Sequence, residues 1–303
     1  MIDLRRLRVL RAVAYYGTVT AAAESLHLTP SAASQQIRQL ARELDVRLLE
    51  PQGRRVRLTP AARGLLAHAD VIEAQWERAA AELHALGEEP AGELRMSGFP
   101  SAMCRLLAPV AGALRAAHPR LDVRLREAEP ADCYDLLFDC ETDLAVVEAS
   151  AEAPARGDQR FEQHTLIEDP FDLVVPEGHP LAGRTAIELA EAAGERWIIG
   201  PPGVWSRQHV LAACSAAGFG PNVTHEACDW TVTAVMVSHG LGVALVPRLA
   251  QFSGVPSIRR LRITGVPVPS RTFLTVTRRG ATGSPAVRAA LDALQVRAKE
   301  TVA

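Results

Sequence analysis

The chain has 303 residues, 48% hydrophobic and 22% charged, with a formal net charge of −2. That length supports two or three domains with real cores, and the composition is that of a soluble globular protein. Five cysteines, odd in number and without a C-x-x-C pair, argue against a disulfide framework; they read as reduced thiols, with Cys214 and Cys228 as the minor alternative of a redox pair.

The overall charge gives no reason to expect a nucleic-acid partner, but its distribution does. Residues 1–63 hold 11 Arg and 5 acids, whereas the remainder holds 22 basic and 30 acidic residues. An acidic body with a basic head confines polyanion binding to one end. Lys299 is the single lysine beside 32 Arg; GC-rich coding favours that usage, so no Arg is read as functional by count alone. No signal peptide is expected, because charge alternates with apolar residues from Asp3 onward.

Leu4–Tyr16 carries a helical stripe of Leu7, Leu10 and Ala14, and Gly17 ends it. Thr18 can cap a second helix, kept slim by Ala21, Ala22 and Ala23. After His27–Leu28 a third begins, with Thr29 at the N-cap and Pro30 at the first helical position. Ala33, Ile37, Leu40 and Leu44 form its buried face. Ser31, Ser34, Gln35, Arg38 and Arg42 lie opposite. Ser and Gln can reach base edges in a major groove, and Arg can reach phosphate or guanine. The plainer explanation is a solvated helix face. Val46–Leu49, Pro51–Gln52–Gly53 and Arg54–Leu58 then read as a hairpin, the wing of a winged helix-turn-helix. Arg54 at its tip suits a minor groove, and Arg55 is placed beside it.

The run Leu4–Leu66 resembles the head of the LysR-type transcriptional regulators. The resemblance rests on Leu4-Arg5-Arg6-Leu7, Gly17-Thr18-Val19-Thr20-Ala21-Ala22-Ala23, Ser34-Gln35-Gln36-Ile37-Arg38-Gln39-Leu40 and Arg54-Arg55-Val56-Arg57-Leu58-Thr59-Pro60-Ala61-Ala62. The chain departs from the pattern at Leu49 and Pro51, where the family has Phe and Arg, and at Ala62, where it has Gly. The resemblance implies that Pro30, Ser31, Ser34 and Gln35 face bases or phosphates and Arg54 the minor groove. The full expected DNA-contact set is Thr29, Pro30, Ser31, Ser34, Gln35, Arg38, Arg54 and Arg55.

Ala62, Leu65, Ala69, Ile72, Trp76, Ala79, Leu83 and Leu86 alternate steps of three and four, the seam of a two-stranded coiled coil. The other explanation is a helix lying on its own domain. Gly87–Gly92 stops it. A dimer would place two heads on half-sites about one DNA turn or a multiple apart. In the resembling family this helix is the dimer linker; tetramers and contact with RNA polymerase are likewise implied.

From Glu93 strands and helices alternate, which predicts parallel sheets covered by helices, in two lobes with a cleft. The expected strands include Leu94–Gly98, Leu121–Glu127, Asp143–Glu148, Phe171–Val175 and Phe273–Thr277. Pro109 should kink the helix Ser101–Ala117 or open its main part. Trp230–Pro247, 18 residues without Asp, Glu, Lys or Arg, reads as a buried helix, a turn and a buried strand rather than a membrane span. The resemblance continues through Gly92-Glu93-Leu94-Arg95, His118-Pro119, His179-Pro180-Leu181 and Gly240-Leu241-Gly242-Val243-Ala244-Leu245-Val246-Pro247. It implies a periplasmic-binding-protein-like effector domain whose chain crosses between lobes near Gln163–Leu166 and Arg262–Phe273. The expected division is a head at 1–59, a linker helix and hinge at 60–89, and an effector domain at 90–297. Lobe I would take about 92–164 and 270–297, and lobe II about 165–269. The fold class is thus α/β behind a winged helix-turn-helix.

The expected effector contacts are Phe99, Pro100, Ser101, Ala102, Glu129, Pro130, Trp205, Trp230 and Thr231. Gly98–Ser101 leads a strand into a helix N-terminus, which suits a carboxylate or other anion, although Ser101 could equally be a plain N-cap. Trp205 and Trp230 open helices at loops and suit a flat or apolar ligand part, or ordinary packing. Arg207 is the one arginine obvious in these loops. Gly240-x-Gly242 lacks the third Gly of a dinucleotide loop, and His225, Glu226, Cys228 and Asp229 lack metal-ligand spacing. No cofactor, metal or catalytic constellation is expected. The sequence therefore reads as a cytoplasmic bacterial regulator that is not an enzyme. The alternatives are a cytoplasmic small-molecule-binding protein, or an enzyme with an appended helix-turn-helix.

Overall fold

The computed structural model describes residues 3–52, 55–87, 89–252, 254–265 and 267–302. Three helices build the head: α1 (Leu4–Tyr16), α2 (Val19–Ser25) and α3 (Pro30–Glu43). Each starts on a side-chain cap. Asp3 accepts from Arg5 N–H, Thr18 from Ala21 N–H and Thr29 from Ala32 N–H. Gly17, at φ 73°, takes the left-handed turn that ends α1. Val9, Ala12, Val13, Ala22, Ala23, Ala33 and Ile37 make one core, and the alanines let the helices cross closely. The wing is β1 (Leu49–Gln52) against β2 (Arg55–Leu58), antiparallel. Its first strand therefore starts at Leu49 rather than Val46 and contains Pro51, which a two-stranded sheet tolerates at a free edge.

Helix α4 (Pro60–His84) is capped by Thr59. Its expected seam divides. Ala62 and Ala69 are buried with Leu65 against the head. Beyond them Ile72, Trp76, Leu83 and Leu86 are exposed, Trp76 by 68%. The opposite side, Ala74 and Ala81, is buried. There Gly280, at φ 92°, puts bare backbone against α4; a Cβ would collide with the Ala74 carbonyl.

Lobe I contains β3 (Gly92–Gly98), a helical run of α5 (Pro100–Ala102), a π-helical stretch Met103–Leu107 and α6 (Ala108–Ala117), then β4 (Leu121–Glu127), α7 (Pro130–Phe138) and β5 (Leu144–Glu148). Pro109 opens the main part of the run, in the first turn of α6, directly after this π stretch. Proline has no N–H for the Arg105 carbonyl, which instead accepts from Arg297 Nε at 3.1 Å.

The long β6 (Phe161–Pro176) carries the chain into lobe II, which comprises β7 (Ala186–Glu188), β8 (Arg196–Ile199), α8 (Trp205–Ala216), β9 (Asn222–Glu226), α9 (Trp230–Ser238), β10 (Ala244–Pro247) and β11 (Ile258–Thr264). Strand β12 (Ser270–Arg278) returns to lobe I, and α10 (Pro285–Val302) closes it. β6 pairs with β12 as far as Pro170 and with β10 from Phe171, so the first crossing lies at Pro170–Phe171, beyond Gln163–Leu166. The second falls just before Ser270, within the expected stretch.

The sheets are mixed, not purely parallel. β3 runs parallel to β4 and β5, but β12 runs antiparallel to β5 and β6. The crossing strands reverse direction, and the alternation rule does not see them. Separate apolar clusters fill the lobes, around Phe99, Leu106, Phe273 and Leu294 in lobe I and Phe171, Trp197, Val210 and Leu245 in lobe II. Trp230–Pro247 is a helix, a turn at Gly240 and a buried strand, though α9 buries only one face and leaves Val232 and Val235 exposed. Among the described residues, no helix is long and apolar enough to cross a membrane.

Head and lobe I touch directly. Tyr15 stacks on Phe138, centroids 4.1 Å apart, and Asp139 accepts from Tyr16 Oη at 2.7 Å and Ser25 Oγ at 2.6 Å. Burial, then Asp135, pushes the Tyr15 phenol well up. Arg11 meets Asp70 at 2.9 Å and Glu73 at 3.1 Å, which fixes α1 to α4.

Candidate functional site

Two surfaces carry the expected residues. On α3, Ala33, Ile37 and Leu40 are buried while Thr29, Pro30, Ser31, Gln35 and Arg38 are exposed and Ser34 half-buried. The polar side of the helix therefore points outward as one face. Thr29 Oγ1 is engaged in the cap and lies 3.0 Å from Ser31 Oγ. Arg38 Nε donates back to Ser34 O, and Arg42 donates to Gln39. Of the wing, Arg55 opens β2; Arg54 lies outside the described residues. Arg57 is held across the wing by Glu50.

The second surface is the cleft, a cavity of about 610 Å³. Phe99, Pro100, Ser101, Glu129 and Pro130 line it from lobe I, and Trp205 and Trp230 from lobe II. Seven of the nine expected residues thus converge, because each sits where a strand ends and a helix begins on the cleft side. Two do not. Ala102 is fully buried in the lobe I core, packed beside Gly98, where a larger residue would strike Leu107 and the Val146 carbonyl. Thr231 is exposed and off the cavity wall, one step round α9 from Trp230. Arg207 is also off the wall; it donates to Gly200 O at 2.8 Å and meets Glu226 at 2.9 Å.

The charged centre of the cleft was not read from sequence. Arg271, 6% exposed, stands where β12 enters lobe I. Its Nη2 lies 2.8 Å from Asp169 and donates to Ser101 Oγ at 2.8 Å; Nη1 reaches Glu148 at 3.5 Å. Ser101 is therefore no N-cap; Phe99 holds that position. Phe99 and Phe273 flank the guanidinium, their ring centres 5.4 and 4.8 Å from it. Asp169 also accepts from Leu249 N–H at 3.0 Å; burial pushes its carboxyl up against the pull of Arg271. Arg271 and Asp169 face each other on the two crossing strands, so this buried pair ties the hinge. His209 Nε2 of α8 bonds Glu148 of β5, a contact from lobe to lobe. The sequence signal for Arg271 is weak, since β12 also carries Ser270, three threonines and Arg278.

Among the described residues no group of three or more His, Cys, Asp or Glu could hold a metal ion. Cys133 and Cys214 are buried, their thiols pushed up by that burial to about 11 and about 12, which disfavours the thiolate; Cys104 and Cys228 are exposed.

A reading head joined by a linker helix to a two-lobed receptor defines a ligand-responsive DNA-binding protein. The family model described as bacterial regulatory helix-turn-helix protein, lysR family, matches residues 4–63, and that of the LysR substrate binding domain matches 87–299. The chain belongs to the LysR family of bacterial DNA-binding transcriptional regulators. It is 29% identical over 250 residues to the transcriptional dual regulator GltC of Bacillus subtilis, covering 81% of each chain. It is 29% identical over 286 residues to the transcriptional dual regulator OxyR of Escherichia coli, covering 92% of this chain and 90% of that one. Among solved structures, a full-length OxyR variant from Pseudomonas aeruginosa superposes with a TM-score of 0.65 at 22% identity, covering 98% of this chain and 95% of that chain. CbnR in complex with its target DNA gives 0.58 at 21%, covering 98% and 100%.

Proposed function

We propose that this chain acts in the cytoplasm, without enzymatic activity, as a homodimer that assembles further into a tetramer on promoter DNA. A small molecule held between the lobes would then reset its DNA bend and its contact with RNA polymerase. The observation that carries this reading is one chain with an outward polar face on α3, an exposed apolar stripe on α4 and an aromatic cavity in the C-terminal body. The stripe of Ile72, Trp76 and Leu83, with Leu86 just past the helix end, supports a second copy of the linker helix as its cover. In this reading Ser31, Ser34 and Gln35 meet base edges, Thr29, Pro30 and Arg38 meet the backbone, and Arg54 and Arg55 serve the wing. The cleft residues Phe99, Pro100, Ser101, Glu129, Pro130, Trp205 and Trp230 hold the effector. The helix start at Pro100 supports a carboxylate effector, but Ser101 Oγ is already engaged by Arg271, and Glu129 and Glu148 line the same wall.

The test is a footprint of the full-length protein on a selected operator. Gln35→Ala should cost about 1–3 kcal/mol of discrimination at one base position. Arg54→Ala should weaken binding on all sequences and flatten the salt dependence. Footprints unchanged by both substitutions would remove the assigned reading face.

A further inference from the structure

The cavity wall has a charge balance that its position in the fold does not require. Glu129, Glu148 and Asp229 line it, and Asp169 stands directly behind. Against these four carboxylates the wall offers one guanidinium, Arg271, and one imidazole, His209. Arg271 is consumed by Asp169, Ser101 and Glu148, and His209 is turned onto Glu148. Among the described residues, Glu129 has no hydrogen bond or ion pair to a cationic side chain. Burial pushes its carboxyl up, and the charges that add to the shift are Asp132, Glu127 and Glu148, all acidic. Four aromatic side chains, Phe99, Phe171, Trp205 and Trp230, complete the wall.

We infer that the cleft selects an organic cation: an ammonium or guanidinium group carried on an apolar frame, with the charge beside Glu129 and the frame among the aromatic rings. The inference rests on the cleft being the effector site and adds the charge class of the ligand. An anion would find N–H groups at the helix starts, but it would stand beside Glu129 and Glu148 with the buried guanidinium already engaged. A cation meets an uncompensated carboxylate and ring faces whose quadrupole attracts positive charge. A metal ion is disfavoured because the carboxylates do not gather into a coordination cluster among the described residues.

The test uses the full-length protein and three probes with the same phenyl frame: phenethylamine, phenethyl alcohol and hydrocinnamate. Binding is followed by tryptophan emission and thermal stability. Phenethylamine should bind at least about tenfold more tightly than hydrocinnamate, with the alcohol between them. Glu129→Lys, an exposed site whose change spares the core, should reverse that order. Trp205→Leu should weaken all three. Hydrocinnamate binding as tightly as the amine, in a manner still lost with Trp205→Leu, would overturn the charge class and leave the cleft as the ligand site. An order indifferent to Glu129→Lys would overturn it as well. No binding by any probe, or binding indifferent to Trp205→Leu, would remove the cleft reading and this inference with it.

Discussion

Lobe I has two joints, one to the linker helix and one to lobe II, and they are built from different chemistry. At the linker joint, Asp143 takes Arg95 in a two-pronged contact at 2.8 and 3.1 Å, and Arg278 at 3.2 Å. Arg278 Nε also donates to Glu77 of α4 at 2.7 Å. The network joins two guanidinium groups to two carboxylates, and Arg278 is mostly buried. At the cleft the wall-to-wall contact is one imidazole on one carboxylate. The first joint is a weld of several interlocked bonds; at the second the hinge is tied by Arg271 and Asp169, and across the cleft His209 and Glu148 make a single latch. The network ties α4 to lobe I, and the latch is the lobe-to-lobe contact that lies on the cavity wall.

Breaking the weld has the largest expected effect. Arg278→Ala strips Glu77 and Asp143 of a buried partner and should cost about 3–5 kcal/mol in denaturant unfolding of the full-length protein. Gly280→Ala forces a methyl into the α4 backbone at a left-handed position and should cost about 1–3 kcal/mol. If the weld matters as argued, both should also raise hydrogen exchange in α4. Acid sharpens the contrast. Burial pushes the Asp143 carboxyl up, but Arg95 and Arg278 outweigh it and hold it below the ordinary range. Its stabilisation is thus complete above the unfolded value of about 3.9 and is lost as pH falls through the lower folded value. Arg278→Ala should flatten that part of the stability profile. The smallest effect belongs to the latch. His209→Gln should change stability by less than about 1 kcal/mol, since the ring is partly solvated, while widening the lobe separation seen in solution scattering. A loss as large as that of Arg278→Ala would erase the distinction between the joints.

What the sequence discloses follows the same division. The reading helix is local: Thr29, Pro30 and the spacing of Ala33, Ile37 and Leu40 all lie within fourteen residues, and each is a cap or a stripe with a short-range cause. Trp205 and Trp230 were legible for the same reason, as rare residues opening helices. The hinge was not. Asp169 and Arg271 are 102 residues apart and meet only through the register of β6 and β12. The first half of β6, rich in polar residues, and β11, with three Arg in seven positions, show no clean apolar alternation. Ala102 and Thr231 lie off the cavity wall because successive residues of a helix point in different directions, which adjacency in sequence does not show. The half-and-half use of α4 was hidden because a period of three and four fits both a neighbouring domain and a twin helix.

Gly280 gives the linker helix a seat with no upholstery. Main chain rests on main chain there, so no rotamer can swing to thicken or thin the gap. The approach of the rod to the receptor at that point is set by atomic radii. A change in how the rod sits on the receptor would require the main chain at Gly280 or Ala74 to move, because this bearing has no play to give.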